Sequence, residues 1–220
     1  MQHKRAAIFD MDGVICHTNP YHAEAFRIFF KKRGVSATEE DFKKHMYGKN
    51  NSYILSHFLG RPIQGQELLS LEEEKEGLFR DIYRSKVEPI RGFLTILNHL
   101  KIKGWKTGIA TSAPQANLDL ILSSLNLYPE MESLMASEDV LNHKPNPEVY
   151  LTSASNLLVD PQDCLVFEDS YSGVMAAKNA GMKVVGVLST HTLEELPACD
   201  HYLNDYAGLD VGLLQEIMSS

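Results

Sequence analysis

Two periodicities alternate along the chain. Ala7, Ile8 and Phe9 make an apolar run that meets Asp10 directly, and Asp12 and Gly13 follow at once. A run apolar enough for burial on both faces predicts a strand that ends at the carboxyl edge of a parallel sheet. Alternation along an extended backbone starts Asp10 and Asp12 on the same side, and Gly13 lets the chain turn. From about Pro20 to Glu88 the spacing is helical instead. Ala25, Ile28 and Phe29 form one apolar stripe, with Gly34 as its expected stop. Thr38 and Asp41 predict the start of a second, short helix. A turn at Gly48 to Asn51 then precedes an apolar helix ending at Gly60. Gln66 to Lys86 predicts a long amphipathic helix carrying Leu71, Leu78, Phe79 and Ile82. The Glu72–Glu76 run inside it, EEEKE, reads as a solvated helix face. This block holds no strand candidate.

After Arg91 helix and strand alternate. Phe93, Ile96, Leu97 and Leu100 share a helix face, and Lys106 to Thr111 is a strand. Pro114 opens a helix with Leu118, Ile121, Leu122 and Leu125 on its apolar face, and Ser133 to Ala136 is a short strand. Asn146 is the expected cap of a helix with Pro147 at its first position. Cys164 to Phe167 is a further strand, followed by a small-residue helix from Ser170 to Ala180 that Gly181 stops. Lys183 to Val187 is the last predicted strand. Such alternation predicts an α/β fold, a doubly wound parallel sheet of Rossmann-like type with right-handed crossovers. The expected division is an α/β core formed by 1–17 and 88–220, with an all-helical insert at 18–87.

Composition narrows the class. Of the 220 residues, 44% are hydrophobic and 23% charged, ordinary for a globular protein with a sizeable core. No stretch approaches about 18 consecutive apolar residues, so no membrane span is expected. The basic N-terminal stretch reaches charged residues too soon for a secretory signal, and a cytoplasmic location is the expectation. A net charge of −8 argues against nucleic acid as partner. An anionic substrate then needs a local basic group or a metal. Cys16, Cys164 and Cys199 are odd in number without metal-ligand spacing, and predict reduced thiols.

The chemistry collects just past the strand ends. Asp10 and Asp12 follow the first strand, Thr111 and Ser112 follow KTGIA, and Glu168 and Asp169 follow CLVF. Lys144 lies in HKPNPEVY, a loop stiffened by Pro145 and Pro147. In open α/β sheets this edge is where ligands bind. Singly, each group has a plainer reading: an Asp-Gly turn, a helix cap, a surface lysine, acids at a helix N-terminus. In this order on one edge they make a phosphate-handling set. Two carboxylates at the end of a buried strand repel and lose hydration, and a cation offsets both. Mg²⁺ takes oxygen ligands: Asp10 and Asp169 can supply carboxylates, and Asp12 its carbonyl. A carboxylate nucleophile is repelled by a phosphate dianion, a repulsion that the cation and Lys144 reduce. Thr111 can donate its hydroxyl to a phosphoryl oxygen, with backbone N–H groups near Ser112 assisting. Asp12 can protonate a leaving oxygen and then deprotonate water.

FDMDGV, Thr111 of IATSAP, Lys144 of HKPNPEVY and FEDSYSGVMAAKNAGM resemble, in order and spacing, the motifs of the haloacid dehalogenase superfamily. The branch is the one that includes β-phosphoglucomutase and related sugar-phosphate phosphatases, and the resemblance spans nearly the whole chain. It implies that Asp10 becomes an aspartyl phosphate and that Asp12 is the acid/base. It also implies Mg²⁺ held by Asp10, Asp169 and the Asp12 carbonyl, with Glu168 close to the metal site. The helical block then matches a small mobile cap that excludes water and selects substrates. Thr18 and His22 of HTNPYH resemble hinge and cap-facing positions of the mutase branch, and Lys75 resembles a cap lysine. The cap loop departs from the mutase pattern. Where mutases carry an arginine that grips a second phosphate, GKNNSY places Asn51, with Lys49 nearby, and lysine is no equivalent clamp. His17 stands where an acidic residue is more frequent.

The expectation is hydrolysis of a small sugar or polyol phosphate monoester. Mutase interconversion of β-glucose 1-phosphate and glucose 6-phosphate is the alternative, and pyrophosphate is another candidate substrate. A phospho-receiver domain also gathers Asp, Thr and Lys at a sheet edge, but it is shorter and lacks such an insert. The expected partner is a small phosphorylated metabolite, and a capped single site calls for no more than a monomer.

Overall fold

The first apolar run becomes the middle of the sheet. The computed structural model describes residues 4–46 and 49–219. Its elements are β1 (Ala6–Phe9), α1 (Asn19–Lys31), α2 (Glu39–His45), α3 (Asn51–Leu59), α4 (Gly65–Tyr83), α5 (Phe93–Ile102), β2 (Lys106–Ala110), α6 (Gln115–Leu125), β3 (Ser133–Met135), α7 (Glu148–Leu157), β4 (Cys164–Glu168), α8 (Tyr171–Asn179), β5 (Lys183–Val187), β6 (His201–Leu203) and α9 (Val211–Ile217). They divide into two compact units, Met1–His17 with Val87–Ser220, and Thr18–Lys86.

The first unit is a six-stranded sheet in the order β3-β2-β1-β4-β5-β6, with every neighbouring pair parallel. Strand order reverses at β1, the topological position at which a crevice opens beyond the carboxyl ends. Phe9 is in register with both Ile109 and Phe167, so the three central strands stop level. Adjacent residues of β1 face opposite ways. Ile8 packs with Val166, Tyr150 and Leu157 of α7, and Val174 and Ala177 of α8. Phe9 stacks on Phe167 at 4.7 Å and meets the edge of Phe93 from α5 at 5.2 Å, and Phe93 in turn meets Tyr206 at 5.6 Å. The chain leaves and re-enters this unit side by side: Cys16 bridges to Pro89, and Ile90 N donates to Ile15 O at 2.7 Å.

The second unit contains α1 to α4 around Phe26, Phe29, Phe30, Phe42, Ile54 and Leu55, without a strand among its described residues. Thr38 and Asp41 close a capping box on α2: Asp41 N donates to Thr38 Oγ1 at 3.1 Å, and Thr38 N to Asp41 Oδ2 at 2.8 Å. Asn50 caps α3 by accepting from Tyr53 N, so Asn51 is the first helical residue and not a turn residue. Gly48, expected to open that turn, lies outside the described residues, as do the first three residues of the basic N-terminal stretch.

Other departures have local causes. The helix expected from Pro147 starts at Glu148, whose N–H still donates to the Asn146 side chain at 3.0 Å. The EEEKE run is not a solvated face throughout: Lys75 and Glu76 are 2% and 4% exposed. They pair with each other at 2.8 Å, which makes burial tolerable. Neither β6 nor α9 was expected, and three and seven residues respectively are too short to display a period. Phe93→Ala, which removes the ring shared by Phe9 and Tyr206, is expected to lower stability by about 3–5 kcal/mol. A shift in the urea midpoint at unchanged slope reads this.

Candidate active site

Level strand ends put charged side chains side by side. Asp10 leaves β1, where its N–H donates to Phe167 O at 3.0 Å. Glu168 ends β4 and Asp169 follows it. Lys144, from the loop between β3 and α7, reaches into this group with a side chain only 4% exposed. Its ammonium donates to Asp10 Oδ1 at 2.6 Å, Glu168 Oε1 at 2.7 Å and Ala110 O at 3.0 Å. One carboxylate oxygen from each of Asp10, Glu168 and Asp169 lies within 4.8 Å of the other two. Thr111 is buried at the end of β2, where its Oγ1 accepts from Ala113 N at 3.1 Å and keeps its hydrogen to give. Ser112 beside it is exposed. Asp12 is half-buried in a tight turn in which Gly13 N donates to Cys16 O at 2.8 Å and Ile15 N to Met11 O at 2.9 Å.

Donors crowd Glu168. Oε1 accepts from Lys144 and from the Tyr150 hydroxyl at 2.7 Å. Oε2 accepts from Asp169 N, Ser170 N and Ser170 Oγ at 3.0, 3.1 and 3.0 Å. Burial, then the Glu168 charge, pushes the Tyr150 phenol well up, so it remains a donor. Gly173 in the first turn of α8 leaves the room for this, because a Cβ there would overlap the Glu168 carboxylate. Gly13, at φ +76°, does the same for Asp169, whose Cγ would lie 2.6 Å from a Cβ. Tyr150, Ser170 and Gly173 were not among the expected site residues, although all three stand in the quoted Lys144 and Glu168–Asp169 stretches.

The cluster is short of positive charge. Burial pulls the Lys144 ammonium down, but Asp10 and Glu168 outweigh it and hold its pKa above the ordinary lysine value. One ammonium does not satisfy three acids. Burial pushes Asp10 up to about 7, Lys144 notwithstanding, with Glu168 and Asp12 adding to the rise. Burial and the charges of Glu168 and Asp10 hold Asp169 well above the carboxylate range. Hard oxygen donors with uncompensated negative charge fit a divalent cation such as Mg²⁺.

In the second unit, four residues meet. Glu76 Oε1 accepts from Lys75 Nζ at 2.8 Å and from Asn51 Nδ2 at 2.9 Å. Lys75 Nζ also donates to His22 Nδ1 at 2.8 Å, and the His22 ring stacks on Phe79 at 3.7 Å. Lys49 is exposed and outside this network. Thr18 is buried, with its carbonyl accepting from Tyr21 N at 2.9 Å and His22 N at 3.0 Å at the start of α1. Cys16, Cys164 and Cys199 are in no disulfide. No helix among the described residues is long and apolar enough to cross a membrane.

The raised acids set a pH dependence. Asp10 binds its proton more tightly folded, at about 7, than at its ordinary 3.8. The stability this gives is complete below about pH 3.8 and lost as pH rises through about 7. In EDTA, the melting temperature should therefore fall between pH 5.5 and 8. MgCl₂ should raise it more at pH 8, where the acids are ionised, than at pH 5.5.

The family profile described as haloacid dehalogenase-like hydrolase matches residues 7–187. The phosphorylated carbohydrates phosphatase of Thermotoga maritima is 34% identical over 196 residues, covering 86% of this chain and 87% of that protein. The beta-phosphoglucomutase of Bacillus subtilis is 31% identical over 192 residues, covering 83% of each. A crystal structure of a HAD hydrolase, family IA, variant 3 from Entamoeba histolytica shares the fold at a TM-score of 0.93 and 24% identity, covering 98% of this chain and 100% of that one. The sheet order, the acidic strand ends and these likenesses converge: the chain belongs to the haloacid dehalogenase-like hydrolase family, and it is an enzyme of phosphatase or phosphomutase type.

Proposed function

We propose that the enzyme hydrolyses a small sugar or polyol phosphate monoester through a phosphoryl group carried on Asp10. The observation that supports this most is the Asp10, Lys144, Glu168 and Asp169 cluster at the ends of adjacent strands. Asp10, Asp169 and the Asp12 carbonyl are the assigned Mg²⁺ ligands, with Glu168 beside them. When bound, Mg²⁺ supplies charge neutralisation that lets an anionic phosphate approach carboxylates.

The Asp10 carboxylate attacks phosphorus as the ester P–O bond breaks, and Asp12 gives its proton to the departing alcohol oxygen. Asp12 then takes a proton from water, whose oxygen attacks the phosphorus. Inorganic phosphate leaves, and the Asp10 carboxylate is restored. Lys144, 2.6 Å from Oδ1, orients Asp10 and offsets charge on the transferring group. Thr111 donates its hydroxyl hydrogen to a phosphoryl oxygen, and the backbone at Ser112 assists. The unit Thr18–Lys86 serves as the cap, with Thr18 as hinge and with Lys49 among its substrate-binding residues.

The cap network favours hydrolysis over mutase chemistry. A mutase must retain a bisphosphate, which calls for a cation to meet the second phosphate. Here the Lys75 charge is met by Glu76 within the same helix. Burial raises Glu76, but the neighbouring ammonium and hydrogen bonds from Lys75 and Asn51 outweigh it, and its carboxyl stands at about 2. Asn51 is likewise bound to Glu76. His22, Asn51, Lys75 and Glu76 thus form a near-neutral polar set, suited to hydroxyl groups.

Asp10→Asn should abolish both phosphoenzyme formation and turnover. Asp12→Asn should keep Mg²⁺ binding and slow phosphate release by roughly 100-fold or more. A screen of phosphate esters with MgCl₂ should give hydrolysis of sugar or polyol monophosphates. Faster conversion of β-glucose 1-phosphate in the presence of a bisphosphate primer would reverse the choice between hydrolase and mutase.

A further inference from the structure

The loop after β5 touches the site at three consecutive residues. Ser189 Oγ donates to Gly13 O, Thr190 Oγ1 donates to Asp169 Oδ2, and His191 Nδ1 donates to Asp169 O at 2.9 Å. One short strap therefore holds both the turn after β1 and the acidic end of β4. A Cβ on Gly13 would lie 2.6 Å from Asp169 Cγ and 2.7 Å from Thr190 Oγ1. The Asp169 carboxylate is packed between the Gly13 backbone and the Thr190 hydroxyl. We propose that Thr190 is a positioning residue that fixes the rotation of the Asp169 carboxylate toward the cation assigned to Asp10, Asp169 and the Asp12 carbonyl.

The chemistry of the donor matters. A carboxylate turns about its Cβ–Cγ bond, and a hydrogen bond to one oxygen stops that turning. A hydroxyl does so without adding charge. A lysine or arginine at the same place would cancel the negative charge that draws a cation, as Lys144 does in part for Asp10 and Glu168. Thr190 thus orients a ligand while leaving its charge available. Partners of this kind around a metal ligand are typically worth about 10–100-fold in metal affinity.

The inference rests on the cation assignment, and the experiment separates the two. Titration of MgCl₂ into the full chain by calorimetry compares the native protein with Thr190→Ala, Thr190→Ser and Ser189→Ala. Thr190→Ala should bind Mg²⁺ about 10-fold more weakly or worse, while Thr190→Ser, which keeps the hydroxyl, should bind near the native level. Ser189→Ala, which frees the Gly13 end of the strap but keeps the carboxylate bond, should weaken Mg²⁺ binding less than Thr190→Ala does. At saturating Mg²⁺ the kcat of Thr190→Ala should change little, while its half-saturating Mg²⁺ concentration rises with the dissociation constant. Should Thr190→Ala melt below the assay temperature in EDTA, Thr190→Val, isosteric and without the donor, takes its place in the same comparison. Native Mg²⁺ affinity in the hydroxyl-free variant, or equal weakness in Thr190→Ser, would overturn the positioning role. Absence of binding by the native protein would remove the cation assignment and the positioning role that rests on it.

Discussion

Uncompensated negative charge held out of water governs this enzyme. Three acids cluster at neighbouring strand ends, and the one ammonium among them, that of Lys144, pairs with Asp10 and Glu168 but not with Asp169. In isolation such a group would be costly, because buried carboxylates repel and lose hydration. The sheet enforces it all the same. Phe9, Ile109 and Phe167 are locked in register by parallel pairing and aromatic stacking, and whatever follows them meets at one place. Folding energy from the apolar strands thus maintains an arrangement that the acids alone would not adopt.

The surroundings are arranged so that the shortage of positive charge persists. Glu168 is surrounded by donors, and apart from Lys144 these are neutral: a phenol, a serine hydroxyl and two backbone amides. They fix its orientation without discharging it. Gly13 and Gly173 keep side-chain bulk away from Asp169 and Glu168. Lys75 and Glu76 show the contrasting case. There a buried acid and base meet one to one, and the carboxyl falls to about 2 where burial alone would raise it. The same chain contains a charge-balanced polar set and a charge-starved one, and only the latter calls for an external cation.

Much of this was legible in the residues, for identifiable reasons. Strands buried on both faces read as unbroken apolar runs, so their ends, and with them Asp10, Thr111, Glu168 and Asp169, could be located. Lys144 stood out through the stiff prolines beside it. Thr190 gave no such signal, since a threonine after a strand is ordinary and its bond to Asp169 spans 21 positions. Lys75 and Glu76 misled because a run of charges defaults to solvent. Their burial depends on His22 and Asn51, which lie 53 and 25 positions away from Lys75 and Glu76. Both failures concern side chains whose surroundings are set by distant parts of the chain.

Cys16 and Ile15 lie against Pro89 and Ile90, so the polypeptide departs from the sheet and rejoins it through a single doorway. Topologically, everything between is one long loop with its feet pinned together, and closure entropy grows only slowly with loop length. Exchanging that loop for another module would leave strand order, register and the acidic edge untouched. The inserted module and the acidic sheet edge are therefore separately heritable, and evolution can retune the one without rebuilding the other.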